Sequence, residues 1–187
     1  MQSKDVHYEK GYAPFRPTGG KPDGVRPLAA AGGVEDRLRL VCFAELQARD
    51  LFRFGAERFR TARPDWAAEW LRFALVEDRH AQMLLTRMGE LGVDPGARTV
   101  SDKLSRLCRS ADDVVLFLFL LASAEERGMD AGVVLGDQMR KIDPASAEIF
   151  AQIAREEVEH VEVARGFLAP FAPADLRARA RALSATL

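Results

Sequence analysis

The chain has 187 residues, of which 48% are hydrophobic and 29% are charged, and its formal net charge is −1. This balance is typical of one soluble globular domain, with or without a terminal arm, and it argues against a broad nucleic-acid-binding surface. The longest apolar run, residues 114–122, is far shorter than the roughly 20 residues that a membrane span needs. The first residues contain no apolar signal segment, and two widely separated cysteines, Cys42 and Cys108, indicate free thiols and a cytoplasmic location.

Residues 1–33 are predicted to form an extended N-terminal arm. Prolines and glycines are frequent from residue 14 onward, and they prevent a helix from continuing. The arm is expected to be ordered only where it packs on the rest of the chain. His7 lies in this arm, and we interpret it as a surface residue because the arm offers no partners that would fix it as a ligand.

Helical spacing of apolar residues begins at Val34 and predicts two long helices in the first half of the chain. The first covers residues 34–62. Pro64 ends it, and Asp65 is expected to cap the second helix, which covers residues 66–91. No alternating strand pattern occurs anywhere in the sequence.

The second half of the chain repeats this plan after a crossover of about twenty residues. Its long helices are predicted from about residue 111 to 141 and over residues 144–168, and a short basic helix follows at about 174–185. Ser101 is expected to cap a short helix within the crossover. Glycines at 128, 132 and 136 should weaken the third long helix and favour a bulge or kink.

The predicted fold class is all-α. Four long helices with short connections and one long crossover, between the second and the third, are typical of the ferritin-like four-helix bundle. On this interpretation residues 1–33 form the arm, residues 34–170 form the bundle, and residues 171–187 form a short C-terminal helix.

A recurring glutamate–histidine spacing indicates a metal site. The two histidines outside the arm each follow a glutamate by three positions, in Glu77-x-x-His80 and Glu157-x-x-His160. Positions i and i+3 share one helix face. In dinuclear carboxylate bundles, two helices supply Glu-x-x-His and the other two supply one glutamate each.

An internal repeat identifies the two remaining glutamates. Glu45 lies 32 positions before Glu77, and Glu125 lies 32 positions before Glu157, so one three-residue half-site recurs 80 residues later. Burying several carboxylates is costly without a counter-charge, which a dication supplies. Mixed carboxylate and imidazole ligation suits two iron ions, with manganese or zinc as alternatives. The predicted ligands are Glu45, Glu77, His80, Glu125, Glu157 and His160.

Three residues next to these ligands each have two possible roles. Glu126 is the rival of Glu125, and it is either a further ligand or a solvated neighbour; the 32-residue repeat favours Glu125. Glu156 either accepts a hydrogen bond from a ligating histidine or is an exposed charge. Cys42 either lines the metal cavity or is a small buried hydrophobe, which we favour.

The residues around these ligands carry a family resemblance. The segments 45–48, 77–80, 125–130 and 155–160 resemble an uncharacterised bacterial family of ferritin-like proteins, a domain of unknown function, and the likeness covers about residues 36–168. The resemblance implies the bundle fold and ligands at the six matching positions, but it brings no reaction with it. More distantly, the chain resembles the rubrerythrins and the ferritin-like tRNA hydroxylases, although the rubredoxin-like cysteine module of full rubrerythrins is absent.

The function predicted from this pattern is an oxygen-activating di-iron oxidase or hydroxylase, with dioxygen, a small-molecule substrate and an external electron donor as partners. The alternatives are an iron-handling ferroxidase, a peroxide-consuming or storage protein, and a non-catalytic metal-bound module. A tRNA hydroxylase remains an analogy, and we interpret its candidate contacts as solvated faces, so nucleic acid is not the expected partner. No membrane partner is expected, and a homodimer remains open. The candidate contacts are Arg177, Arg179, Arg181, Arg53, Arg58, Arg60 and Arg63.

Overall fold

The structure, a computed structural model, describes residues 12–186 and is predominantly helical. His7 therefore lies outside the described residues. None of the described helices is long and apolar enough to cross a membrane. The elements are β1 (Arg16–Thr18), α1 (Gly33–Arg58), α2 (Pro64–Glu90), a 3₁₀ turn (Pro95–Ala97), β2 (Thr99–Ser101), α3 (Lys103–Arg109), α4 (Val114–Met139), α5 (Pro144–Leu168) and α6 (Pro173–Ser184).

Aspartates and prolines set most of the helix starts. Asp113 caps α4, because its Oδ1 accepts hydrogen bonds from the backbone amides of Val115 (2.8 Å) and Leu116 (2.9 Å). The prediction for Asp65 was wrong: α2 already begins at Pro64, which suits the first helical turn, and the Asp65 carboxylate pairs with the side chain of Arg63.

The structure contains two short strands, although the sequence shows no alternating strand pattern. β1 and β2 pair in parallel, with Arg16 opposite Thr99 and Thr18 opposite Ser101. Each strand has three residues, which is too short for an alternating pattern to show in the sequence. The pairing fastens the N-terminal arm to the crossover, and Tyr12 packs edge-on against Phe43 of α1, with 5.1 Å between the ring centroids.

The glycines of α4 do not interrupt it, so the expected bulge is not present. The helix is continuous from Val114 to Met139. A Cβ atom added at Gly132 would lie 3.2 Å from the backbone oxygen of Phe150 and 3.0 Å from Cβ of Ala154 on α5. The absence of a side chain at Gly132 therefore lets the two helices approach closely.

The long helices pack as two pairs, α1 along α2 and α4 along α5, and further contacts join α1 to α4 and α2 to α5. Apolar side chains form two cores at opposite ends of these helices. One is built around Trp66, Trp70 and Phe117, and the other around Leu84 and Phe150. The stretch of each long helix between these two cores carries the polar residues described next.

Candidate metal centre

Six acidic and histidine side chains converge between the two apolar cores, and they form two overlapping groups. Within each group, one candidate ligand atom per residue lies within 4.8 Å of the others. Glu77 and Glu157 belong to both groups. The first group adds Glu45 and His80, and the second adds Glu125 and His160.

The helical register of the sequence explains this convergence. α2 and α5 each present a glutamate and a histidine three residues apart, which places both side chains on one face. α1 and α4 contribute Glu45 and Glu125 from the facing side. Because the chain repeats the same helix pair, the two half-sites meet in the middle of the structure.

The two glutamates common to both groups face both histidines. Glu77 directs Oε1 toward Nδ1 of His160 (2.9 Å) and Oε2 toward Nδ1 of His80 (3.6 Å). Glu157 directs Oε1 toward Nδ1 of His80 (3.2 Å) and Oε2 toward Nδ1 of His160 (3.0 Å). Each carboxylate thus offers one oxygen to each half of the cluster. The other two carboxylates lie near one histidine each, Glu45 near His80 (3.4 Å) and Glu125 near His160 (3.7 Å).

These close contacts do not satisfy the buried polar atoms. Both Nδ1 atoms and all four carboxylate oxygens of Glu77 and Glu157 are buried, and within the described part of the chain they have no hydrogen-bond partner with suitable geometry. Unsatisfied polar atoms are rare in protein interiors and carry a large desolvation cost. The carboxylate oxygens and imidazole nitrogens direct their lone pairs toward one another. A cation shared between them would satisfy these lone pairs, so the residues present fit a metal ion.

His80 is held from its outer side by Glu156. Nε2 of His80 lies 2.8 Å from Oε2 of Glu156, and the side chains of Arg79 and Gln152 (3.0 Å) also bind this carboxylate. A proton on Nε2 leaves the Nδ1 lone pair directed at the cluster. Metal-binding histidines commonly donate their other N–H to a carboxylate in this way.

Among the residues that the structure describes, His160 has no such partner. Its Nε2 atom is buried and makes no hydrogen bond with any of them, and its ring contacts Phe73, with 4.1 Å between the ring centroids. A small apolar cavity of about 10 Å³ adjoins the ring, and its other walls include Phe52, Leu121 and Glu125. The two halves of the cluster therefore match in their six main residues but differ in their surroundings.

The sequence model of one protein family, described as Protein of unknown function (DUF455), matches residues 30–173. The chain belongs to this family. The matched residues include α1 to α5 and all six members of the cluster. No curated protein and no solved structure matches the chain.

Burial and neighbouring charges shift the pKa values of the cluster residues. Burial, followed by the nearby Glu157 carboxylate, raises the pKa of Glu125 to about 8. Burial and the carboxylate of Glu77 likewise raise the pKa of Glu45. Burial alone would lower the pKa of His160, but the surrounding carboxylates outweigh it and raise that pKa to about 12. The metal-free cluster thus holds protons at neutral pH that a metal ion must displace.

The pKa of Glu156 moves in the opposite direction. Burial would raise it, but hydrogen bonds from Gln152, His80 and Arg79 outweigh that effect and lower the pKa to about 2. Glu156 is therefore ionised at neutral pH and accepts a charge-assisted hydrogen bond from His80.

Of the three residues predicted to lie next to the ligands, only Glu156 contacts one of the six cluster residues through a hydrogen bond. Glu126 is directed away from the cluster and binds Arg165 at 3.0 Å. Cys42 packs in the apolar core that contains Leu84, and its thiol donates to the backbone oxygen of Ala81 at 3.6 Å. Glu156 contacts the cluster through the histidine of the other half-site, His80, and not through the histidine of its own helix.

Sequence reasoning did not find several residues that shape this site. Phe52 and Phe73 look like ordinary core residues in the sequence, and only their helix faces, shared with Glu45 and Glu77, could have indicated that they border the cluster. Gln152 and Arg79 hold Glu156 from two different helices. Gln152 lies four positions before Glu156 on α5, a spacing that favours such a contact. No spacing rule connects Arg79 on α2 with Glu156, so nothing in the sequence pointed to that contact.

Proposed function

We propose that this protein is a ferritin-like four-helix bundle that holds two metal ions, iron first among them, and uses them with dioxygen to oxidise or hydroxylate a small organic substrate. The observation that carries the proposal is the pair of buried groups that share Glu77 and Glu157. Four carboxylates balance the charge of two dications, and this balance accounts for burying so many acidic groups.

The bundle part of the proposal rests on the arrangement of the helices. α1 packs along α2 and α4 packs along α5, and the segment from Leu91 to Asp113 crosses between the two pairs. In known dinuclear carboxylate bundles, the ligands project inward from all four helices, two of which supply Glu-x-x-His. The ligand positions on α1, α2, α4 and α5 follow the same scheme.

In this proposal each residue of the cluster has a defined role. Glu45 and His80 would hold one ion, and Glu125 and His160 would hold the other. Glu77 and Glu157 would bridge the two ions, because each has one oxygen on either side. Bound iron would supply the electrons and open coordination positions that dioxygen chemistry needs.

The surroundings of His160 favour a reactive centre over a closed structural one. The apolar cavity beside His160 and Glu125 measures about 10 Å³, which is at the lower limit of the space that one water-sized molecule needs. Its walls are mostly aromatic and aliphatic, so they offer few polar groups to water. A structural site is normally closed on all sides by protein ligands. We therefore assign the cavity as the place where a small molecule approaches the centre.

The protein's own groups would orient the ligands and keep the site dry. Glu156 fixes the ring of His80 so that Nδ1 is directed inward. Phe52 and Phe73 flank the His160 ring and restrict its orientation through packing. These contacts would preorganise the ligands before a metal ion arrives.

The test combines metal analysis with an oxygen reaction. Protein purified without chelators is expected to contain about two iron ions per chain. The anaerobic ferrous protein should change its absorption spectrum within a single turnover after mixing with dioxygen. Glu157→Gln removes a carboxylate common to both groups and should lower the metal content. Glu159→Gln, two residues away on the exposed face, should leave the metal content unchanged.

Three results would contradict the proposal. Absence of bound metal would remove the centre altogether. Two bound ions that never react with dioxygen would leave only a structural role. A large shell-like assembly on a sizing column, with iron accumulating far beyond two ions per chain, would favour iron storage instead.

A further inference from the structure

An open groove of about 570 Å³ runs between α6 and the helices α3 and α4, on the outside of the protein. Its apolar lining comes from Leu104 and Leu107 of α3 and from Phe119 and Leu120 of α4. None of the six cluster residues lines it. The volume falls within the range of roughly 300–1,000 Å³ that is typical of small-molecule sites.

Three arginines line the same groove. Arg127 comes from α4, and Arg177 and Arg181 come from α6. Within residues 12–186, no carboxylate lies within ion-pair distance of any of the three, whereas Arg179 on the same helix pairs with Asp112 (3.2 Å) and Asp113. The groove therefore has guanidinium groups that are free to bind an anion.

The spacing of residues along α6 places positive charge and open space on the same face of the helix. Arg177, Ala180, Arg181 and Ser184 follow at i, i+3, i+4 and i+7, so they share the helix face that borders the groove. Two members of this face are small, which leaves room between the arginines. The helix itself is fixed by the ion pairs of Arg179 with the start of α4 and by the buried side chain of Leu176.

We propose that this groove binds a small amphipathic organic anion, in which a carboxylate or phosphate head is attached to an apolar chain or ring. The arginines would bind the head, since guanidinium forms paired hydrogen bonds with both kinds of oxyanion. The leucines and Phe119 would cover the apolar part. The inference goes beyond the proposed metal function and does not depend on it.

The charge of the whole chain favours a small ligand over a long polyanion. The net charge is −1, and the arginines of the groove form one local cluster beside an apolar surface. Nucleic-acid binding needs a row of cations that follows many phosphates. An apolar floor contributes nothing to such contacts, but it suits an acyl chain or a ring.

Calorimetric titration of the full chain with octanoate, octyl phosphate, octanol and inorganic phosphate tests the proposal. Octanoate or octyl phosphate should bind saturably at one site, and the stronger of the two identifies the head group. Octanol, which lacks the charge, and phosphate, which lacks the chain, should each bind at least about tenfold more weakly. Equal binding of octanol would reduce the groove to an apolar docking face and overturn the proposal.

Matched variants locate the binding site. Arg127→Gln combined with Arg181→Gln should weaken octanoate binding about tenfold, because two charge-assisted contacts are lost. Arg53→Gln combined with Arg60→Gln removes two exposed arginines elsewhere and should change nothing. Ser184→Trp fills the groove and should also abolish binding. Unchanged binding in both groove variants, or tighter binding of a short RNA than of octanoate, would overturn the proposal.

The same samples keep this test separate from the metal proposal. Metal content should be identical in the wild type, the groove variants and the control variant. Wild-type protein that binds octanoate but contains no metal would count against the metal centre alone. Wild-type protein that contains metal but does not bind octanoate would count against the groove alone.

Discussion

Glu156 shows how one residue outside the cluster sets the chemistry of a residue inside it. Its carboxylate lies 2.8 Å from Nε2 of His80 and is held by groups from α2 and α5. Within residues 12–186, His160 has no equivalent contact, and Val76 occupies the matching position on α2. The two half-sites are therefore equal in their main residues and unequal in the groups that hold their histidines.

Replacement of Glu156 should weaken the binding of one of the two metal ions selectively. In Glu156→Ala, His80 loses the acceptor that fixes its ring and tautomer, so affinity for the ion on that side should fall about 10- to 100-fold. A cobalt titration followed by absorption should show one metal-binding step with lower affinity and one with unchanged affinity. Glu156→Gln keeps an acceptor and should recover part of the loss.

Glu148 provides the control for this measurement. It is also a glutamate of α5 that pairs with an arginine, Arg155, but its side chain is 69% exposed and belongs to neither group of the cluster. Glu148→Ala should leave both steps unchanged. Equal weakening of both steps in Glu156→Ala would mean that Glu156 supports the fold of the site and not one particular histidine.

Part of this residue-scale geometry is predictable from the sequence. The Glu-x-x-His spacing and the 32-residue repeat predict six residues that the structure indeed brings together. The choice between Glu125 and Glu126 rested on the repeat alone, and the structure directs Glu125 inward and pairs Glu126 with Arg165. The contact between Glu156 and His80 joins two helices. Which histidine Glu156 contacts depends on how the two helices are rotated relative to each other, and the sequence does not show that rotation.

At the scale of elements, the helices were predictable and the strands were not. α5 runs from Pro144 to Leu168, as expected, because Asp143 and Pro144 define its start and the apolar spacing ends before Pro170. β1 and β2 have three residues each and lie about 80 positions apart. Such a pairing depends on where the arm meets the crossover, and no local pattern encodes that meeting.

Two glycines of α4 should respond to alanine in opposite ways. Gly128 is exposed and has open space beside it, so Gly128→Ala should stabilise the protein by about 0.5–1 kcal/mol through higher helix propensity. Gly132 lies against the backbone of α5, so Gly132→Ala should destabilise it despite the same gain in propensity. Thermal unfolding of both variants measures the difference. A rise in Tm for Gly132→Ala would show that α4 and α5 can separate at no cost.

On the scale of the whole molecule, the polar cluster divides the interior into two apolar cores. The metal-free protein must bury this cluster, and it does so by keeping protons on groups such as Glu125 and His160. This solution is costly because several buried atoms remain without partners. Bound ions would replace the protons and join all four long helices, so the proposed centre is also the main polar connection between the two helix pairs.

Metal removal should therefore destabilise the protein more at high pH than at low pH. In the metal-free fold, the pKa of Glu125 is raised to about 8 and that of His160 to about 12. The unfolded values are about 4.3 and 6.5. A fold that binds protons more tightly than the unfolded chain loses stability as the pH rises between those values. The stability of the metal-free protein should thus fall between pH 6 and pH 8.

The metal-loaded protein should not follow this trend, because its ligands are already deprotonated. The difference in Tm between loaded and metal-free protein should widen from pH 6 to pH 8. A change of at least about 1 kcal/mol corresponds to about 2–4 °C for a chain of this size. Thermal unfolding at fixed free metal concentration measures it, and calorimetry in two buffers should detect protons released on binding. A Tm difference that stays constant or narrows with rising pH would mean that the cluster carries no displaceable protons, and the metal proposal would lose its electrostatic basis.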